Sequence, residues 1–293
     1  MAAARRYLRA QWILLRGRRE FWLLVIAIPS TSAFLYLSGA IAHAQPLDSS
    51  LDWPPEFVTM HQLARERDAF PQSVLSLLDS AAWVAWASAV LGALLVGSEF
   101  GWATIRTTLV TAGRLEGFFL AKVTSVLVIA AVLLAALVTL GSVLPAVAAV
   151  IGVAMVTASP VDWVGAAAYA GAWFVSAAVF GAIGLAFGTL SRSPVLGLIV
   201  TLVYITGENI VAQLPMWAPT GRPEGLVLLL PVQSTIQLVR HAATLAGRVD
   251  LGAALPEAPP FGVTSSSLLV PFAWVIGLVT VAVVVGARRD IAE

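Results

Sequence analysis

Six apolar runs constrain this chain more than any other feature. They lie at about 21–42, 81–97, 118–145, 163–188, 195–214 and 265–286. A helix needs roughly 17–25 apolar residues to cross the hydrocarbon of a bilayer. Within lipid every backbone N–H and C=O must find its partner inside the protein, so such runs fold as helices. Only 11% of the residues are charged and 59% are hydrophobic, with a mean hydropathy of +0.90. Soluble domains carry about 25% charged residues. The expected fold class is an all-α membrane protein with six transmembrane helices. No short-period repeat or low-complexity linker divides it, so residues 1–293 read as one transmembrane domain.

The positions of the charges set the topology. Arg5, Arg6, Arg9, Arg16, Arg18, Arg19, Arg106, Arg114, Lys122, Arg192, Arg288 and Arg289 fall in one set of inter-span segments. Arg65, Arg67, Arg222, Arg240 and Arg248 fall in the other, a division of 12 against 5. Lys and Arg concentrate on the cytoplasmic side. Both termini are therefore expected inside, with segments 43–79 and 215–264 outside. The formal charge of +1 names no nucleic-acid partner.

Several chemistries are excluded by residue type. The chain has no cysteine, hence no disulfide, thiolate metal site or cysteine nucleophile. Three scattered histidines, His43, His61 and His241, do not make a histidine metal cluster. Lys122 is the only lysine and follows Ala121, so the Gly-Lys-Ser/Thr core of a phosphate-binding loop is absent. If the protein uses ATP, another polypeptide binds it. An intramembrane protease would need paired catalytic groups at membrane depth. All three histidines lie outside the spans, and no aspartate falls inside one.

Along the chain, residues 4–19 form a basic amphipathic pattern, with Ala4, Leu8, Trp12 and Leu15 on one face and Arg5, Arg9 and Arg16 on another. A helix of this kind lies in the membrane interface. Arg18-Arg19 and Ala42-His43-Ala44 faintly mimic an export signal, but the run between them exceeds the roughly 7–15 residues of a signal core and is read as an uncleaved first span, kinked at Pro29. In the first outer segment Pro55-Glu56 opens a helix to about Phe70, stopped by Pro71. Trp83 and Trp86 fit an interfacial belt. Pro145 is expected to end or bend the third span, leaving 146–162 as an outer turn with a short interfacial helix. Gly181, Gly184 and Gly188 let helix backbones approach closely, within the subunit or across a dimer. In the fifth span Glu208, beside Asn209, is costly at membrane depth. It reads either as a polar group of a translocation path or as a carboxyl bonded to a neighbouring span. Pro231 precedes a helix expected over about 233–246.

The stretch Glu99–Lys122 separates the second and third spans. At helical spacing Trp102, Ile105, Leu109 and Ala112 form an apolar stripe, while Thr104, Thr107, Thr108, Thr111 and Arg114 form a polar one. Such a helix lies along a membrane surface. Glu99 and Arg106, seven apart, share a helical face and are expected to fix the elbow between this helix and the second span. This stretch resembles the cytoplasmic coupling segment of type-2 ABC transporter permeases. That family carries a Glu at the end of the second span, then Gly-Thr and Arg, a Pro-x-x-Arg-like turn, and Ala-Lys at the start of the third. Here the matching residues are Glu99, Gly101, Thr104, Arg106, Arg114 and Ala121-Lys122. The turn departs from the pattern, since Thr111-Ala112-Gly113-Arg114 has no proline.

The resemblance implies a membrane subunit of a bacterial ABC exporter in the inner membrane. Its partners would be a cytoplasmic ABC ATPase, a second permease copy or paralogue, and membrane lipids. ATP and Mg would be bound by the ATPase, and no cofactor by this chain. Glu99, Gly101, Trp102, Thr104, Arg106, Thr111, Arg114 and Lys122 would couple to the ATPase, and 4–19 would approach it. Residues 215–264 would hold re-entrant or interfacial helices before the last span. The apolar spans favour a lipid, hydrophobic peptide or amphiphilic drug as substrate. The alternative is a non-transporting regulatory or immunity partner of an ABC ATPase.

Overall fold

A computed structural model describes residues 16–17, 19–47, 53–70, 72–101, 115–152, 162–212, 229–247 and 265–290. Among them the chain is helical: α1 (Arg19–Ala44), α2 (Pro55–Asp68), α3 (Gln72–Asp79), α4 (Ala81–Gly101), α5 (Leu115–Val150), α6 (Trp163–Ser191), α7 (Pro194–Ala212), α8 (Pro231–Leu245) and α9 (Ser265–Asp290). Six stretches are long and apolar enough to cross a bilayer: Phe21–Ala44, Gln72–Phe100, Gly117–Val150, Trp163–Ser191, Pro194–Ala212 and Leu269–Gly286. The amphipathic pattern at 4–19 and the whole of 102–114 lie outside the described residues.

Two expected boundaries move. The second span begins earlier than residue 81, because α3 runs into α4 across Ser80. The third span does not stop at Pro145. Proline has no N–H to give to the carbonyl four residues back, which is that of Gly141. Ser73 supplies the missing donor: its Oγ bonds the Gly141 carbonyl at 3.1 Å. The absence of a side chain at Gly141 lets α3 come this close, since a Cβ there would lie 2.7 Å from Val74 Cα. With the orphaned carbonyl satisfied by a neighbouring helix, α5 continues through Pro145 to Val150. Residues 146–150, expected in a turn, are therefore helical.

The bundle is built around α6. It opens on Asp162, whose carboxylate accepts from the N–H groups of Val164 and Gly165 at 3.1 and 3.0 Å, an N-cap. Its most extensive contact is with α4. Gly184 faces the Ala89 carbonyl, Gly92 faces the Gly181 carbonyl, and a Cβ at Gly188 would lie 2.7 Å from the Ala93 carbonyl. A Cβ on Gly181 would lie 2.7 Å from Val126 of α5. These glycines thus bring three helices of one subunit together. α6 ends at Arg192, a non-glycine residue in the left-handed region (φ 51°), and Pro194 starts α7 two residues later.

By contrast, α1, α7 and α9 expose most of their apolar surface. Leu23, Ile26 and Phe34 of α1, Val195 and Val203 of α7, and Leu269 and Ile276 of α9 all point away from the bundle. In water this surface would be untenable, whereas lipid tails are as apolar as the side chains themselves. The amphipathic α8 lays Val232, Leu238, Val239 and Ala242 against the bundle, mainly on α6.

Candidate coupling junction and polar clasps

Glu99 sits in the last turn of α4 and Lys122 in the second turn of α5, the two ends from which 102–114 is suspended. Both are buried, at 6% and 1% exposure, and they form an ion pair. The Lys122 ammonium also lies 5.2 Å from the centre of the Phe118 ring, within cation–π range. Phe118, Phe119, Val96, Leu185 and Ala282 close an apolar cluster drawn from α5, α4, α6 and α9. A charge in such surroundings requires a partner. Glu99 closes on Lys122; Arg106, expected to form an elbow with Glu99, lies outside the described residues.

Two further contacts fix the same end of α4. Phe100 lies 5.9 Å beneath the Arg192 guanidinium at the α6–α7 turn. Gly97 brings α4 against Pro194, where a Cβ would lie 2.7 Å from the proline Cα. The end of α4 is therefore tied to α5, to the α6–α7 turn and to the start of α7. Of the other residues expected to couple, Gly101 ends α4, and Trp102, Thr104, Thr111 and Arg114 lie outside the described residues.

Glu208 is buried at the junction of α7 and α8. Its Oε1 accepts from the backbone N–H of Gln233 at 2.9 Å, the third residue of α8. Leu230, at the N-cap position of α8, offers no side-chain acceptor. The first N–H groups of a helix lack intrahelical partners and carry a partial positive charge. Glu208 therefore caps α8 from a neighbouring span. Asn209 completes the joint, its Oδ1 accepting from Gln233 Nε2 at 3.0 Å.

A third cluster joins the far end of α1 to α2, α3 and α6. His43 Nδ1 lies 2.6 Å from Asp68 Oδ2, and the Tyr36 hydroxyl donates to the Asp68 carbonyl at 2.6 Å. Arg67 Nε donates to Ser76 Oγ at 3.0 Å, and the Tyr169 hydroxyl donates to Asp79 Oδ1 at 2.6 Å. All of these but Tyr169 line a polar cleft of about 280 Å³. The sequence places His43, Arg67, Asp68 and Asp79 in the first outer segment without pairing them. The isolated charges at the ends of apolar runs were the available signal, but spacing does not name their partners.

Among the described residues no group of three or more His, Cys, Asp or Glu side chains is arranged to hold a metal ion. Comparison of the sequence with protein-family models and with curated proteins finds no match.

Proposed function

We propose that this chain is the membrane-spanning permease subunit of an ATP-driven exporter, moved by a separate cytoplasmic ATPase. The carrying observation is the buried Glu99–Lys122 pair, which ties together the two helix ends flanking 102–114. The sequence between them has the two-faced pattern of a docking helix and the residues of the type-2 permease coupling segment. A segment meant to carry force needs a stiff mount. Here α4 and α5 meet through a charged clasp, and α4 is also tied to the α6–α7 turn. Energy passes through such a mount only if the ATPase grips the segment differently in its nucleotide states. The substrate class that suits the apolar spans is a lipid, a hydrophobic peptide or an amphiphilic drug. The subunit would work as a dimer with a second copy or a paralogue, in a bacterial inner membrane with both ends cytoplasmic.

The test is reconstitution. The chain isolated gently from its own membrane should carry an ATP-binding-cassette ATPase with it. Inverted vesicles containing the complex should accumulate an amphiphilic dye with ATP and not with a non-hydrolysable analogue. A stable complex that moves no substrate under any condition would favour the regulatory or immunity role. Transport undiminished in the absence of any ATPase would overturn the proposal.

A further inference from the structure

The polar cleft at the outer end of α1 runs on into an apolar groove. On α1, Leu24, Ile28 and Thr31 line the groove, while Ser32, Tyr36 and His43 line the cleft, so one passes into the other along a single helix. Across from them Trp86, Ala87 and Val90 of α4 line the groove, Ser76 and Ser80 line the cleft, and Trp83 lines both. The groove measures about 370 Å³ and the cleft about 280 Å³. Small-molecule sites occupy roughly 300–1,000 Å³, apolar for the most part with a few placed polar groups. The cleft lies at the His43 end of the first span and the groove extends from it into the span, which is the order of polarity within a lipid leaflet.

We infer that the cleft and the groove form one site for a single-chain amphiphile with an uncharged polyhydroxyl head, of the alkyl glycoside type. The chain lies between α1 and α4, which touch each other only slightly. The head is selected by what the cleft already does with its charges. Asp68 is paired with His43, Asp79 accepts from Tyr169, and Arg67 donates through Nε to Ser76. Carboxylates and a guanidinium border the same space, so an ionic head of either sign would enter against a like charge. Hydroxyl groups fit, because each both donates and accepts. The Ser32 and Tyr36 hydroxyls give their protons to backbone carbonyls and keep lone pairs as acceptors. The Ser76 hydroxyl accepts from Arg67 and has a proton to give, and Ser80 brings a fourth hydroxyl. Trp83, 60% exposed where the cleft meets the groove, offers a flat apolar surface for the C–H face of a sugar ring. Neither carboxylate has to be free for this. The site is independent of the transport proposal, because it requires this chain alone.

Binding is measured on the full chain in lipid nanodiscs, with empty nanodiscs subtracted, using decyl glucoside below its micellar concentration. Decyl sulfate, decyltrimethylammonium and free glucose are the comparison probes. Saturable binding of the glucoside is expected, with each comparison probe at least about tenfold weaker. Ser76→Ala removes one hydroxyl from the head site and should weaken binding about three- to tenfold, the order of one neutral hydrogen bond. Trp83→Ala should weaken it about tenfold, whereas Trp83→Phe keeps an aromatic face and should stay within about threefold. Ala27→Trp fills the groove from an exposed position and should abolish binding while leaving thermal stability unchanged. Either ionic probe binding as tightly as the glucoside, or undiminished affinity in Trp83→Ala or Ala27→Trp, would overturn the assignment.

Discussion

The Glu99–Lys122 pair makes a sharp energetic prediction. Lys122 is 1% exposed and Glu99 6%, so the ion pair is a large part of what stabilises either charge in the interior. Removing one partner of a buried pair leaves an uncompensated charge and costs about 3–5 kcal/mol. Replacing both by apolar residues of similar volume is close to neutral, or stabilising by about 1–4 kcal/mol. Glu99→Leu and Lys122→Met should therefore each destabilise by about 3 kcal/mol or more. The double variant should lie within about 1 kcal/mol of the original protein or above it. The coupling in such a cycle should then exceed the 0.5–3 kcal/mol common for neighbouring residues. Equilibrium unfolding in mixed micelles, titrated with sodium dodecyl sulfate and followed by tryptophan fluorescence, measures all four proteins. Single variants each costing under about 1 kcal/mol, with additive effects, would refute the buried clasp. The same four proteins separate stability from coupling. If the clasp transmits force, the double variant should be stable and assembled yet hydrolyse ATP without moving substrate.

Other consequences follow from single contacts. Gly184→Ala pushes a Cβ into the Ala89 carbonyl and should cost about 1–3 kcal/mol by the same unfolding assay. Gly171→Ala meets nothing within 4 Å and should leave stability unchanged or raise it by up to about 1 kcal/mol, so equal effects at the two sites would contradict the α4–α6 contact. Glu208→Leu should cost about 0.5–2 kcal/mol through loss of the α8 cap, while Glu208→Gln keeps an acceptor for Gln233 and should stay within about 1 kcal/mol. If Glu208→Gln instead abolishes export without altering stability, the residue acts on substrate rather than on α8. Ser73→Ala leaves the Gly141 carbonyl unpaired and should cost about 1–3 kcal/mol, an effect that Pro145→Ala should largely rescue by restoring an N–H.

The fold was legible because lipid imposes a single demand on the backbone. Apolar length alone placed all six spans, and the glycines of α6 announced a close approach. What the sequence could not supply was pairing. Periodicity can set Glu99 beside Arg106, seven residues on, but it cannot set it against Lys122, twenty-three residues away across the whole intervening stretch. A lone lysine at the mouth of an apolar run should have asked for a buried acid. Pro145 shows the same limit. Locally it breaks a helix, and only the position of Ser73, on another helix, reveals why it does not. Glu208 was readable as a residue with a partner, but its bond to a backbone N–H of α8 is one that no side-chain pattern encodes.

These contacts divide the bundle mechanically. α4 and α6 run parallel and meet backbone to backbone through Gly92, Gly181, Gly184 and Gly188. Beside this seam Trp86 of α4 packs edge-on against Phe180 of α6, and close-packed interiors transmit displacement rather than absorb it. α7 and α9 rest on this pair and α1 rests mainly on α5, all three with most of their surface exposed. Motion delivered at the end of α4 should therefore carry α4 and α6 together and change their position against α1 and α7. Because the sequence has no cysteine, spin labels can be placed without background. Labels at Trp83→Cys and Val164→Cys report the α4–α6 distance, and Trp83→Cys with Leu35→Cys or Val203→Cys reports the periphery; all four positions are exposed. If the chain works with an ATPase as proposed, nucleotide added to that complex should leave the first distance unchanged and shift the others. A change between α4 and α6 as large as that at the periphery would mean that the glycine seam slides, and the rigid unit would have to be sought elsewhere.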